Sequence, residues 1–220
     1  MNSLPKNINR DLVNGIYIML RRHYWPLSDI VIYLYKKIIK KINGKKLAIL
    51  GMDQSGKTYY FYFLQGKEYK EGPQTKISKI ESFYYKKEDG TSIKIAEGYD
   101  IGGSKLFIKD HYEQLMNDSD CVIFMFDISK YDKEYEYTKE VHARFEFLYR
   151  MKNTLGIDDN NFKLFATHAD LLSKNELDLV NDTLNRNLES KEYKDILKCD
   201  LFVIKMTDKK RLKELTDLLL

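Results

Sequence analysis

A short apolar run, Leu47-Ala-Ile-Leu50, breaks directly into Gly51-Met-Asp-Gln-Ser-Gly56-Lys57-Thr58, after which a helix-forming stretch begins. A buried strand that turns through Gly-x-x-x-x-Gly-Lys-Thr into a helix leaves few architectures open. Gly51 and Gly56 permit backbone conformations and close approaches that a side chain blocks. Successive backbone N–H groups then point inward, and the helix start adds its positive end, so the loop forms a cradle for phosphate. Lys57 is placed to reach β- and γ-phosphates, and the Thr58 hydroxyl to ligate Mg²⁺.

The chain around this loop reads as α/β. Further short apolar runs stand at Ile80–Tyr85, Ser92–Ile95 running towards Tyr99, Val122–Phe126, Phe162–Ala166 and Leu201–Ile204. They alternate with helical patterns starting at Lys57, near Ser104, at about Lys133, near Lys174 and at about Lys209. This alternation predicts a mostly parallel six-stranded sheet with helices on both faces. Glu88-Asp89-Gly90 reads as a hairpin turn, which makes the second and third strands one antiparallel edge pair. No internal repeat is present.

A change of pattern near Gly44 divides the chain into an N-terminal extension, residues 1–44, and a nucleotide-binding domain, residues 45–220. Ser28 caps a helix in which Ile30, Leu34, Ile38 and Ile42 recur four residues apart, and lysines crowd its end at positions 36, 37, 40, 41, 45 and 46. Two readings stay open. The extension packs as a helical hairpin on the domain, or residues 28–46 make peripheral contact with an anionic membrane surface. Asn2 excludes N-myristoylation, no secretory signal is visible, and no apolar run reaches the length of a membrane span. A net charge of +4 with 37 basic and 33 acidic residues gives no reason to expect nucleic acid. Two cysteines, Cys121 and Cys199, are too few and too far apart for a disulfide framework or zinc site. They fit a reducing, cytoplasmic setting.

Two further motifs follow the loop. Tyr99-Asp100-Ile101-Gly102-Gly103 stands at a strand end, where Asp100 can hold the metal through water and Gly103 can offer its amide to a γ-phosphate. Ala166-Thr167-His168-Ala169-Asp170 follows the fifth strand directly. With GMDQSGKT, DIGG and THAD in this order, residues 46–220 resemble the Ras-like GTPases, and within them the ADP-ribosylation factor branch. The Asp-x-Ser-Gly-Lys-Thr form of the loop and Gln74-Thr75 are also similar to the signal recognition particle receptor β subunit.

The resemblance implies a GTP-binding switch that takes GTP or GDP with Mg²⁺ and meets a protein effector or activating protein. The implied nucleotide contacts are Asp53, Gln54, Ser55, Gly56, Lys57, Thr58, Tyr59, Gly103, Thr167, His168, Asp170, Met206 and Thr207. The implied metal set is Thr58, Thr75 and Asp100. Asp170 stands where the family's carboxylate accepts from guanine, and Lys205-Met206-Thr207 stands where a late loop steadies the base. The catalytic pair on this reading is Lys57 and Ser104.

Three positions depart from the family pattern. Ser104 occupies the place of the water-orienting glutamine, His168 replaces the lysine of the base motif, and Thr167 replaces its more usual asparagine. His111 and His168 are the nearby imidazoles open to recruitment instead, although His111 lies in the amphipathic run Leu106–Leu115 and reads as a helix-surface residue. Slow or partner-dependent hydrolysis is the first expectation, and a non-hydrolysing scaffold that binds GTP structurally is the alternative. A P-loop small-molecule kinase is disfavoured because Lys133–Lys152 lacks an arginine-rich lid with glycine hinges.

Overall fold

In chain order the elements are β1 (Leu47–Gly51), α1 (Lys57–Leu64), β2 (Ile77–Ile80), β3 (Phe83–Lys86), β4 (Ser92–Ile95) and β5 (Gly98–Ile101). There follow α2 (Glu113–Asp118), β6 (Cys121–Asp127), α3 (Tyr135–Leu155), β7 (Phe162–Thr167), α4 (Lys174–Glu189), β8 (Leu201–Val203) and α5 (Lys209–Leu219). This computed structural model describes residues 44–69, 77–103, 111–131 and 133–220, all within the unit Gly44–Leu220. The helix expected over residues 28–42, Thr75 and Ser104 lie outside the described residues.

β1, β6 and β7 are buried along their whole length, so their sequences show no alternation of polar and apolar residues. Strands covered on both faces read this way in parallel sheets. The four parallel strands run in the order β1-β6-β7-β8, with Leu47 beside Cys121, Val122 beside Phe162 and Leu164 beside Leu201. The pleat sends alternate residues to opposite faces. On one face Leu50, Phe124 and Leu164 meet α3 and α4 through Phe145, Leu148 and Leu184. On the other, Ile49, Ile123 and Phe165 meet α1 and α5 through Tyr60, Leu64 and Leu212.

The expected antiparallel pair is present, but each of its strands is broken in two. β2 pairs with β5 and β3 with β4 in one common register, Ile77 opposite Ile101 and Phe83 opposite Ile95. Glu81–Ser82 and Ala96–Glu97 interrupt it. At the break Ala96 N–H donates to the Lys45 carbonyl (3.0 Å), while Lys45 N–H donates to the Lys94 carbonyl (2.8 Å). The six-stranded count is therefore corrected to eight strands among the described residues: four in the parallel sheet, and four in a hairpin that joins β1 through Lys45 and Ile95. The turn forms at the expected place, with Asp89 accepting from Thr91 N (2.8 Å) and its hydroxyl (2.6 Å).

α1, α4 and α5 start at the expected residues and α3 at Tyr135. α4 begins with a capping box, Ser173 N donating to Glu176 Oε2 at 2.8 Å. No helix among the described residues is long and apolar enough to cross a membrane.

Candidate functional site

Parallel strands carry their loops at one sheet end, and the carboxyl ends of β1, β6 and β7 bring the sequence motifs together there. Gly51, the last residue of β1, lies hard against β6. A Cβ on it would sit 2.2 Å from the Met125 carbonyl oxygen, in a conformation with φ of +155°. Met52 N–H then donates to that oxygen (2.9 Å), and the chain leaves the sheet as a closed loop. Buried Ser55 donates from its hydroxyl to the Met52 carbonyl (2.8 Å). Gln54, exposed and at φ of +59°, accepts from Lys130 Nζ (3.0 Å). Asp53 is half-buried beside it.

Lys57 opens α1 and folds back into this loop. Its Nζ donates to the carbonyls of Met52 (2.6 Å) and Gly51 (3.2 Å), and only 6% of the residue is exposed. Burial lowers its pKa to about 8, against the opposing pull of Asp100 and Asp53. Among the described residues no side chain caps the helix start at Gly56, and the positive end of α1 faces the loop. A buried ammonium held by neutral carbonyls, beside the positive end of a helix, is arranged to take phosphate.

Asp100, buried near the end of β5, accepts from the Thr58 hydroxyl at 2.7 Å. These two hard oxygen donors suit Mg²⁺, which binds few protein ligands and completes its shell with water and phosphate oxygens. Thr58 and Asp100 would hold the ion, and its chemistry would be to neutralise charge on the phosphates. The turn after β5 lies directly on the phosphate loop. A Cβ on Gly103 would be 2.1 Å from Asp53 N and 2.2 Å from the Met52 carbonyl carbon.

β7 supplies the other side. The Thr167 hydroxyl is buried 3.0 Å from both the Ser55 and Phe126 carbonyl oxygens, and so links the strand end to the phosphate loop. His168 adopts a left-handed conformation, its Nδ1 2.9 Å from the Thr167 hydroxyl and 3.7 Å from Asp127 Oδ2. Asp170 is exposed on the short turn Ala169–Leu171, which Ala169 anchors by donating to the Ile204 carbonyl (3.2 Å). After β8, buried Met206 leans over the loop, its Cε 2.9 Å from where a Cβ on Gly56 would be, and Thr207 is exposed. Tyr59 is placed apart. Its ring meets Tyr69 edge-on at 5.8 Å and lines a cavity of about 670 Å³ with Phe63, Tyr84 and Tyr85. His111 stands half-buried just ahead of α2.

Two residues at this site carried no motif. Asp127, at the end of β6, is buried and accepts from Ser129 N (2.9 Å) and its hydroxyl (2.6 Å). Arg144 of α3 donates to the Gly103 carbonyl (2.7 Å) and the Tyr112 hydroxyl (3.0 Å). The available signal was an arginine on the same helix face as Val141, Phe145 and Leu148, where a charged residue is unusual.

The family model of the ADP-ribosylation factor family matches residues 31–187. No curated protein sequence matches the chain. Among solved structures, the chain is similar to that described as the mammalian SRP receptor, at 16% identity and a TM-score of 0.53, over 80% of this chain and 100% of the other. It is also similar to a bacterial selenocysteine-specific elongation factor EF-Sec (17%, TM-score 0.51), covering 80% of this chain and 28% of that one. For elongation factor SelB from Methanococcus maripaludis, in complex with a GTP analogue, the values are 16% and 0.53, covering 80% and 34%. The chain thus spans about a third or less of the length of these elongation factors. At these identities the likenesses speak for the fold, while the family match takes in most of the chain and all three motifs: the protein belongs to the ADP-ribosylation factor family of small GTP-binding proteins.

Proposed function

We propose that this protein is a guanine-nucleotide switch that binds GTP or GDP with Mg²⁺ and hydrolyses GTP slowly or only with a partner. The observation that carries this reading is the link from the Thr167 hydroxyl to the Ser55 carbonyl, which couples the base-reading segment to the phosphate loop. Lys57 and the first-turn amides of α1 hold phosphates, Thr58, Thr75 and Asp100 serve the metal, and Asp170 reads guanine. A carboxylate suits guanine because N1 and N2 are both donors, whereas adenine presents a lone pair at N1. Residues 45–220 form the nucleotide-binding domain and residues 1–44 an N-terminal extension to it, whose residues 28–46 are a candidate for peripheral membrane contact. A protein effector or activating protein reads the switch.

Asp170→Asn tests the base assignment. Losing charge-assisted hydrogen bonds should weaken GTP by roughly 10²-fold, and xanthine nucleotides, with an acceptor where guanine has a donor, should gain relative to GTP. Calorimetry reads both. ATP binding the wild-type chain as tightly as GTP would overturn the assignment.

Slow turnover rests on Ser104, too short to orient water as a glutamine amide does, and on the absence of arginine in the sequence Gly72–Lys79. An arginine supplied by a partner can raise the rate of this reaction about 10³- to 10⁵-fold. Ser104→Gln should accelerate single-turnover hydrolysis of bound GTP. Brisk hydrolysis by the unassisted wild type would refute slow turnover, and no detectable hydrolysis even with Ser104→Gln would favour the structural scaffold. The same feature, a serine in the water-orienting place, is what supports that second reading.

A further inference from the structure

The buried face of α3 is made of Val141, Arg144, Phe145 and Leu148, three apolar side chains and one guanidinium that is 1% exposed. Removing a full charge from water is unfavourable unless it is closely paired, so its partners identify its role. Nη2 donates to Glu140 Oε1 and to the Gly103 carbonyl, both at 2.7 Å. Nη1 donates to the Tyr112 hydroxyl at 3.0 Å, and the guanidinium carbon lies 5.6 Å from the Tyr112 ring centroid. That hydroxyl is 3.2 Å from both the N–H and the carbonyl of Gly51, the first residue of the phosphate loop. A closed circuit results. Gly51 is tied to Tyr112, Tyr112 to Arg144 and Arg144 to Gly103, and Gly103 packs back onto Met52 and Asp53 of the same loop.

Resting on the GTP reading above, we propose that Arg144 is a positioning residue that pins the Gly102–Gly103 turn to the phosphate loop and so biases the site towards the diphosphate. The turn and the loop are in van der Waals contact at Gly103, with no gap at that point for a phosphate oxygen. A γ-phosphate that accepts from the Gly103 amide requires the turn to move outward, against the Arg144 bond to its carbonyl. Glu140 balances the charge, and Tyr112 registers the guanidinium against Gly51. Arg144 touches no nucleotide atom on this account. It acts through the turn, and its effect falls on the choice between GDP and GTP rather than on guanine recognition.

Two variants of the full chain test this. Arg144→Lys keeps the charge and loses the fork that reaches several acceptors at once. Tyr112→Phe keeps the buried ring and loses only the hydroxyl link, which guards against a variant that fails to fold. Gly102 and Gly103 are buried, so amide hydrogen exchange of the nucleotide-free protein over residues 98–103 reports directly on the pinning. Losing about one hydrogen bond should raise that exchange about tenfold. The ratio of GTP to GDP affinity, from titration calorimetry, should rise about three- to tenfold, since the bond resisting the outward movement is lost in Arg144→Lys and loses its anchor to Gly51 in Tyr112→Phe. Exchange and ratio both within twofold of wild type in both variants would overturn the proposal, as would a ratio that moves towards GDP. If the wild-type chain binds neither nucleotide, the functional reading and the nucleotide bias fail together, and exchange over residues 98–103 then still shows whether Arg144 pins the turn.

Discussion

Lys57→Ala is expected to abolish tight nucleotide binding without unfolding the protein. The ammonium is the positive charge that lies inside the phosphate loop, bonded to the Gly51 and Met52 carbonyls. Truncating one partner of a buried charge pair costs about 2–5 kcal/mol, so the Kd for GTP and GDP should rise by roughly 30- to 4,000-fold. The wild-type chain should also show a pH dependence that the variant lacks. Burial lowers the pKa of Lys57 to about 8 in the ligand-free protein, and phosphate charge on binding raises it again. Below that pKa the ammonium is already present and affinity is flat. Above it a proton has to be taken up on binding, so affinity falls by up to about tenfold per pH unit until the pKa of the bound state is reached. Calorimetric titrations between about pH 6.5 and 9.5 read this directly, and a proton-uptake signal should accompany binding at the upper end. A flat profile across that range would show that Lys57 is not the group the phosphates meet.

Gly51→Ala should act on the fold itself. The added Cβ would meet the Met125 carbonyl oxygen at 2.2 Å, and that oxygen belongs to the rigid ladder between β1 and β6 and accepts from Met52 N–H. No side-chain rotation relieves a contact with backbone. Either the ladder opens or the loop is displaced, which should cost about 3 kcal/mol or more and lower the melting temperature by roughly 6–12 °C for a domain of this size. Gly98→Ala is the control. Its Cβ would meet nothing closer than the Leu47 carbonyl oxygen at 3.9 Å, so its effect should stay within about 1 kcal/mol. Thermal unfolding of both ligand-free variants separates a steric requirement from a general intolerance of substitution at glycine.

Much of the architecture was legible in the residues because its signals are local. Continuous apolar runs such as Cys121–Phe126 are long enough only for strands and have no polar face, which places them inside a covered sheet. Glu88-Asp89-Gly90 announces a hairpin turn, and helical patterns announce starts at Lys57, near Lys174 and at about Lys209. The phosphate loop is equally local, since eight consecutive residues carry both its shape and its charge. Each of these depends on neighbours a few positions away, and a chain displays such neighbours in order.

What only the tertiary structure decided depends on residues far apart in sequence. The two hairpin strands read as continuous, but each breaks beside the point where Ala96 and Lys94 bond to Lys45, half a hundred residues earlier. The Gly103 contact with Asp53, the Thr167 link to Ser55 and the Arg144 bridge from α3 to the Gly103 turn have the same character. Arg144 was visible as a charge on an apolar helix face, but its acceptors come from segments whose meeting the helix pattern does not encode. Tyr59 lies next to the loop in sequence and yet turns its ring to Tyr69, because the helical repeat rotates each successive side chain by about 100°. Sequence by itself determined the elements and the chemistry of the phosphate loop. The closing of the β1, β6 and β7 ends around that loop, and the buried guanidinium behind it, were settled by packing, where complementarity between distant segments decides which polar groups find partners.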